Sequence, residues 1–149
     1  MRGCACRGTS GFAHVSCLAE QAKILVAEGE ENNLSAKRQN ERWLKWCACG
    51  LCEQDYYGVV RCALGWACWK TYLGRPETDQ AHRMAMGTLG NGLMEADHQE
   101  DALSLRETEL SLLRRIGADE DDILTMQGRF TRRLSTWTPA PRSTISARP

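Results

Sequence analysis

Residues 59–76 read VVRCALGWACWKTYLGRP, and residues 59–69 within them form the most apolar stretch of the chain. Apolar side chains recur through almost every turn of a helix drawn over 59–73, which is typical of a helix buried in a core. Gly74 and Pro76 end it, since glycine favours a helix C-terminus and proline cannot continue one. The stretch is too short to cross a bilayer. We therefore predict a core helix around which the rest of the chain packs.

Two helices are predicted before this core helix. Apolar residues at helical spacing indicate an amphipathic helix from residue 17 to about 28, which the polar run after it ends. A short helix over 40–46 places Trp43 and Trp46 one turn apart, just ahead of a pair of cysteines. We expect these tryptophans to pack on the N-terminal finger.

Three helices are predicted after the core helix. Residues 77–95 and 100–116 form an antiparallel pair, and a further helix starts in the acidic run at 119 and continues to about 130. Residues 131–149 are dominated by Ser, Thr, Pro and Arg, a composition typical of disorder. The predicted fold class is mainly α, with a small N-terminal zinc-stapled finger, antiparallel helical hairpins and a disordered C-terminal tail.

The charge balance excludes some partners, and the opening residues favour a reducing compartment. The chain has 19 basic and 19 acidic residues, so no overall field attracts nucleic acid or an anionic membrane, and neither is expected as a partner. The opening residues lack the apolar core of a secretory signal, which predicts a cytoplasmic or nuclear protein. In such a compartment eight cysteines indicate metal ligands and buried thiols before disulfides.

The spacing of the cysteines is the strongest functional signal. The candidates run as Cys4-x-Cys6, His14-x2-Cys17 and Cys49-x2-Cys52, three close pairs in about 50 residues. Such short gaps let both side chains of a pair converge on one tetrahedral zinc ion. The alternative is that they are small buried residues of a helical core, as unligated cysteines often are. We favour zinc, because the glycine-rich segment after Cys6 offers little core.

Residues 4–52 resemble the RING-CH (RING-variant) zinc-finger family. The match rests on C-x-C, seven residues and H-x2-C over residues 4–17, and on the closing C-x2-C at 49–52. RING-type fingers are cross-braced, which implies one complete four-thiolate site from four cysteines of this chain. They are Cys4, Cys6, Cys49 and Cys52.

The resemblance implies that His14 and Cys17 are half of a second zinc site. The family's first C-x2-C pair, which would complete it, does not precede Cys4 here. The half-site then stays empty, takes another ligand such as Cys47, or is completed by residues upstream in a longer product. A truncated gene model is the simplest expectation.

The remaining cysteines and histidines are weaker candidates. Cys47 lies two residues before Cys49 and could exchange with it as a ligand. Cys62 and Cys68 fall inside the apolar helix and are interpreted as buried thiols. The other two histidines, at positions 82 and 98, fall on acidic helix surfaces that we expect to be solvated, and are unlikely ligands.

Residues 85–117 resemble a tetratricopeptide-type unit of the kinesin-light-chain style. The resemblance rests on Leu89-Gly90 in the first helix and Asp101-Ala102-Leu103 in the second. Small residues at Gly90 and Ala102 would let the two helices approach closely. A generic helical hairpin is the alternative. A single repeat normally stacks on neighbours, which predicts a protein partner for this segment.

These observations predict three segments and a function. Residues 1–55 form a RING-CH-like finger that is incomplete at its N-terminus, residues 56–130 a helical TPR-like segment, and residues 131–149 the disordered tail. The favoured function is a zinc-binding adaptor that docks protein partners.

The alternative function is a ubiquitin ligase of RING-CH type, which the family resemblance implies. It would recruit a ubiquitin-conjugating enzyme, and its zinc would be structural. The missing first pair opposes this, so we expect a protein without enzymatic activity. A catalytic zinc needs an open coordination position and a general base, and no motif supplies them.

Overall fold

The computed structural model describes residues 3, 4, 14–121, 123 and 124, and this part of the chain is mainly α-helical. The predicted fold class is confirmed in that respect. The predicted tail lies outside the described residues. The only strand-like pairing in the described part is an isolated antiparallel bridge between Ala48 and Asp55. The helices are α1 (Val15–Glu31), α2 (Ala36–Trp43, continued by a 3-10 turn over Leu44–Trp46), α3 (Gly58–Tyr72), α4 (Gln80–Glu95) and α5 (Gln99–Arg115).

The core helix α3 lies within one residue of its predicted bounds at each end. Helix α4 starts three residues later than predicted, because Asp79 caps it. The carboxylate Oδ1 of Asp79 accepts a hydrogen bond of 2.7 Å from the Ala81 N–H. The Asp79 N–H donates to the Pro76 carbonyl at 2.9 Å. Residues 76–79 are therefore a turn.

Helix α2 begins four residues before its predicted start. Its sequence, AKRQNERW, buries only Trp43, so it has no apolar periodicity to reveal it. Side-chain hydrogen bonds hold α2 against α1. The Arg42 guanidinium donates to the Glu28 carboxylate at 2.9 Å and to the Leu25 carbonyl at 3.4 Å, and both acceptors belong to α1.

Trp43, Trp46 and Tyr72 form the aromatic centre of the largest core cluster. The ring centroids of Trp43 and Trp46 lie 5.1 Å and 6.1 Å from that of Tyr72. The indole N–H of Trp43 donates to the Thr88 hydroxyl at 3.3 Å. The tryptophans thus pack between α1, α3 and α4. The cluster also contains Ala22, Val26, Cys68, Ala81 and Ala85.

Helices α3 and α4 approach each other closely through glycine. A Cβ atom on Gly92 would stand 2.8 Å from the Arg61 carbonyl oxygen and 2.9 Å from the Cys62 Cα. A Cβ on Gly65 would stand 3.0 Å from the Leu89 Cα. Both sets of neighbours are backbone atoms of the opposing helix, so the contact requires residues without side chains.

Helices α4 and α5 form the predicted antiparallel hairpin. Ala102 of α5 is fully buried against Leu89 and Leu93 of α4. Gly90 faces the Arg106 side chain of α5, whose Cζ would lie 3.0 Å from a Cβ at this position. Arg106 also donates to the Asn91 side-chain oxygen at 2.8 Å.

His82 is buried, contrary to the prediction that it lies on a solvated surface. Only 6% of it is exposed, and its ring packs edge-on against Trp69 with centroids 5.1 Å apart. Acidic neighbours in the sequence suggested exposure, but His82 sits on the face of α4 that meets α3. His98 is exposed as predicted, with its Nδ1 3.9 Å from the Asp101 carboxylate.

The chain divides into two compact units, residues 1–112 and 113–149. The first holds α1 to α4, most of α5 and three of the predicted ligands, Cys4, Cys49 and Cys52. In the second, the backbone turns at Gly117, with φ of 69°. It is helical again from Glu120, in agreement with the predicted helix start. No helix in the described part of the chain combines the length and apolar character needed to cross a membrane.

Candidate metal centre

Three cysteines from distant parts of the sequence come together in the first unit. The sulfur atoms of Cys4, Cys49 and Cys52 all lie within 4.8 Å of one another. Thiolates bound to one tetrahedral zinc at about 2.3 Å are separated by roughly 3.8 Å. The group therefore needs only a small contraction to hold one ion. Among the described residues it is the only group of three or more potential ligand side chains.

A tight turn brings Cys49 and Cys52 together. The Glu53 N–H donates to the Cys49 carbonyl at 2.9 Å, and the Cys49 N–H donates to the Gln54 carbonyl at 2.9 Å. Glu53 adopts a positive φ of 57°, which reverses the chain directly after Cys52. We call residues 49–54 the knuckle. These backbone hydrogen bonds hold the two cysteines within one turn.

Cys4 reaches the knuckle because Gly3 is docked on the start of α3. The Gly3 carbonyl accepts a hydrogen bond of 3.0 Å from the Tyr57 N–H. A Cβ on Gly3 would overlap the side chain of Val60. Only glycine lets the backbone lie this close to α3, and that position aims the next residue at the knuckle.

The three thiols border a small apolar core. Cys4 and Cys49 are 5% and 7% exposed and pack with Tyr56, Val60 and Leu64. Cys52 lies at the edge of this core and is partly exposed. A metal ion here would be largely shielded from water, which suits a structural ion.

Tyr56 is the polar side chain that packs beside the thiol group. It is 6% exposed and belongs to the same core cluster as Cys4 and Cys49. Burial, and then the neighbouring Cys49 and Cys4, raise the pKa of Tyr56 above its usual range.

A positive charge lies on the outer side of the knuckle. The Lys45 ammonium group is 3.9 Å from where a Cβ on Gly50 would stand. A zinc ion with four thiolates carries a net charge of −2, which a nearby cation stabilises. Neither Tyr56 nor Lys45 was singled out from the sequence, since neither belongs to a ligand spacing.

The other predicted ligands have different positions. Cys6 lies outside the described residues. His14 immediately precedes α1, and Cys17, in the first turn of that helix, is exposed. The Cys17 N–H donates to the His14 carbonyl at 3.1 Å. Neither residue belongs to the three-cysteine group.

The remaining cysteines belong to the helical cores. Cys47 packs against the Trp43 and Trp46 cluster, next to Cys68 rather than with the knuckle thiols. Cys68 is fully buried, and burial raises the pKa of its thiol, followed by a contribution from Cys47. Burial also raises the pKa of the partly buried Cys62. The buried-thiol interpretation is confirmed for Cys68.

No protein-family model, curated protein or solved structure matches this chain. The class of site is therefore defined by its own chemistry. It is a cluster of cysteines at the edge of a helical core that could hold a metal ion.

Proposed function

We propose that the chain binds one structural zinc ion through Cys4, Cys6, Cys49 and Cys52. The observation that carries the proposal is the approach of the Cys4 sulfur to within 4.8 Å of the knuckle sulfurs. Cys6 follows two residues later and supplies the fourth thiolate. Four thiolates favour zinc in a closed tetrahedral site, without an open position for catalysis.

The larger role that we propose is a zinc-binding adaptor of the cytosol or nucleus. In this proposal the metal site belongs to a RING-CH-like finger, and the helical segment docks a protein partner as a TPR-like unit. The antiparallel packing of α4 and α5, with Ala102 buried between them, supports the second part. No enzymatic activity is required of the adaptor.

Metal analysis of the purified chain tests the zinc site. We expect about one zinc per chain, and its loss in Cys49→Ser, because three thiolates and a hydroxyl hold zinc far more weakly. Cys17→Ser is the matched control, since Cys17 is exposed and outside the three-cysteine group; it should keep its zinc. A wild-type chain without zinc, prepared under reducing conditions, would refute the site.

A RING-CH-type ubiquitin ligase is the second candidate. The specific observation in its favour is that Cys4 groups with Cys49 and Cys52 across the intervening pair His14 and Cys17. This is the pairing that a cross-braced finger has. An autoubiquitination assay against a panel of ubiquitin-conjugating enzymes tests it. Activity lost in Cys49→Ser would favour the ligase over the adaptor.

A further inference from the structure

We infer that the outer side of α3 is a dimerisation surface, on which α3 of a second copy of the chain packs in the antiparallel direction. This inference goes beyond the proposed adaptor, because it concerns association of the chain with itself. It does not depend on the metal site, since none of the residues that carry it is a proposed ligand.

An apolar stripe runs along the outer side of α3. Val59, Trp66 and Leu73 are spaced seven residues apart and are 69%, 44% and 52% exposed. Cys62 and Trp69 lie between them, partly buried against a core cluster from α4 and α5. The alternating spacing of three and four residues places all five side chains on one side of the helix, like the contact positions of a coiled coil. This set, which we call the α3 stripe, therefore fits another helix.

The opposite side of α3 already belongs to the core. Leu64 and Cys68 are fully buried, and the buried Arg61 guanidinium donates to the Cys47 carbonyl. A helix that is apolar on both sides is normally buried on both, since apolar surface is unfavourable in water. Contiguous exposed apolar surface typically marks a contact with another protein. The α3 stripe therefore indicates a partner that covers it.

The order of residues in the stripe favours a second copy as that partner. In an antiparallel pair whose two-fold axis passes between the two Trp66 side chains, residues at equal distances from position 66 face each other. Val59 of one copy then meets Leu73 of the other, so exposed aliphatic side chains cover each other at both ends. Ala63 meets Trp69, a small residue opposite a large one.

The distribution of charge also favours the antiparallel direction. Within α3, all of which the structure describes, Lys70 is the only charged residue on the outer side. In the antiparallel pair it faces Cys62, whereas a parallel pair would bring the two Lys70 ammonium groups to the same level. The chain has 19 basic and 19 acidic residues, so two copies do not repel each other at long range.

The length of α3 limits the strength of the dimer. Its 15 residues form a helix about 22 Å long, and a contact along it buries less than the roughly 1,600 Å² of a standard interface. We expect a reversible dimer with a dissociation constant on the order of 10 µM. Sedimentation equilibrium in reducing buffer, at chain concentrations that span this value, measures it.

Two double variants test the antiparallel pairing at exposed positions. Val59→Glu with Leu73→Glu makes like charges face each other, and the dissociation constant should rise by about 100-fold. Val59→Lys with Leu73→Glu brings a lysine to a glutamate at both ends, and should recover at least about 10-fold of that loss. Ile24→Glu is the control, because Ile24 is 49% exposed but lies on α1; its dissociation constant should equal that of the wild type.

Three results would overturn the inference. A wild-type chain that stays monomeric would leave the α3 stripe to a different protein. A dimer that neither double variant weakens would have its interface elsewhere on the chain. Equal weakening by both double variants would contradict the antiparallel pairing of Val59 with Leu73. Thermal unfolding of each variant shows that the fold is kept, so that a loss of dimer reports on the interface alone.

Discussion

The close packing of α3 and α4 depends on two glycines, Gly65 and Gly92. Gly92 faces the backbone of Arg61 and Cys62, and backbone cannot move aside as a flexible side chain can. Gly92→Ala should therefore push the helices apart and lower the free energy of unfolding by about 1–3 kcal/mol. Urea denaturation followed by tryptophan fluorescence measures this directly.

Gly87 offers a control on the same helix. A Cβ there would meet the Glu109 Oε1 at 3.5 Å, an ordinary contact. Gly87→Ala should be neutral or stabilise the fold by up to about 1 kcal/mol, since alanine is the better helix former. Equal destabilisation by both substitutions would contradict the close approach at Gly92.

Individual residues also show which parts of the site could be predicted from the sequence. Cys4, Cys49 and Cys52 were identified because ligand spacing is a local property of the sequence, and the structure brings these three together. Tyr56 was not singled out, because nothing local in the sequence marks it as a neighbour of Cys4 and Cys49 in the core. His82 was placed on the wrong surface, since acidic neighbours said nothing about the face of α4 on which it sits.

For individual helices, the sharpest prediction concerns the start of α4. Asp79→Ala removes the side-chain acceptor for the Ala81 N–H and should lower the free energy of unfolding by about 1 kcal/mol. Asp79→Asn should stay within a few tenths of the wild type, because asparagine caps equally well. The Arg75 nitrogen 3.5 Å from Asp79 adds little, since both side chains are partly exposed.

Thermal unfolding of both variants measures the difference. If Asp79→Asn were as unstable as Asp79→Ala, the charge interaction with Arg75 would matter more than the cap.

Helices with an apolar pattern were predicted to within one to three residues of their bounds at most ends. The core helix is the clearest case, since apolar periodicity and the glycine after it mark both its face and its end. Helix α2 was the least accurately predicted, because its polar residues show no apolar periodicity and its stability comes from contacts with α1. The start of α4 was predicted at Glu77, because glutamate is a good helix former. The capping residue is Asp79, two residues later.

In the chain as a whole, zinc would join the N-terminal residues to the knuckle and stabilise the first unit. At a free zinc concentration about 100 times Kd, binding adds about 2.7 kcal/mol. Removing zinc with a chelator should then lower Tm by about 10 °C, given roughly 4 °C per kcal/mol. Differential scanning calorimetry with and without chelator measures the shift.

The matched control is Cys49→Ser, whose Tm should be low and indifferent to chelator. A wild-type Tm that does not respond to chelator, in a chain loaded with zinc, would mean that the metal does not brace the fold.

The docking of Gly3 on the start of α3 has a consequence for biosynthesis. Cys4 is synthesised about 45 residues before its partners in the knuckle. The Cys4 thiol therefore cannot join the metal site until Cys49 and Cys52 have been made, and a long loop must then close. At about 5–20 residues per second, translation leaves that thiol unassembled for several seconds. The helices that follow one another directly, α3 with α4 and α4 with α5, close only short loops and should form sooner once they emerge. Nascent chains arrested before residue 52 should therefore expose Cys4 to alkylation, and chains arrested well beyond it should protect Cys4 when zinc is present.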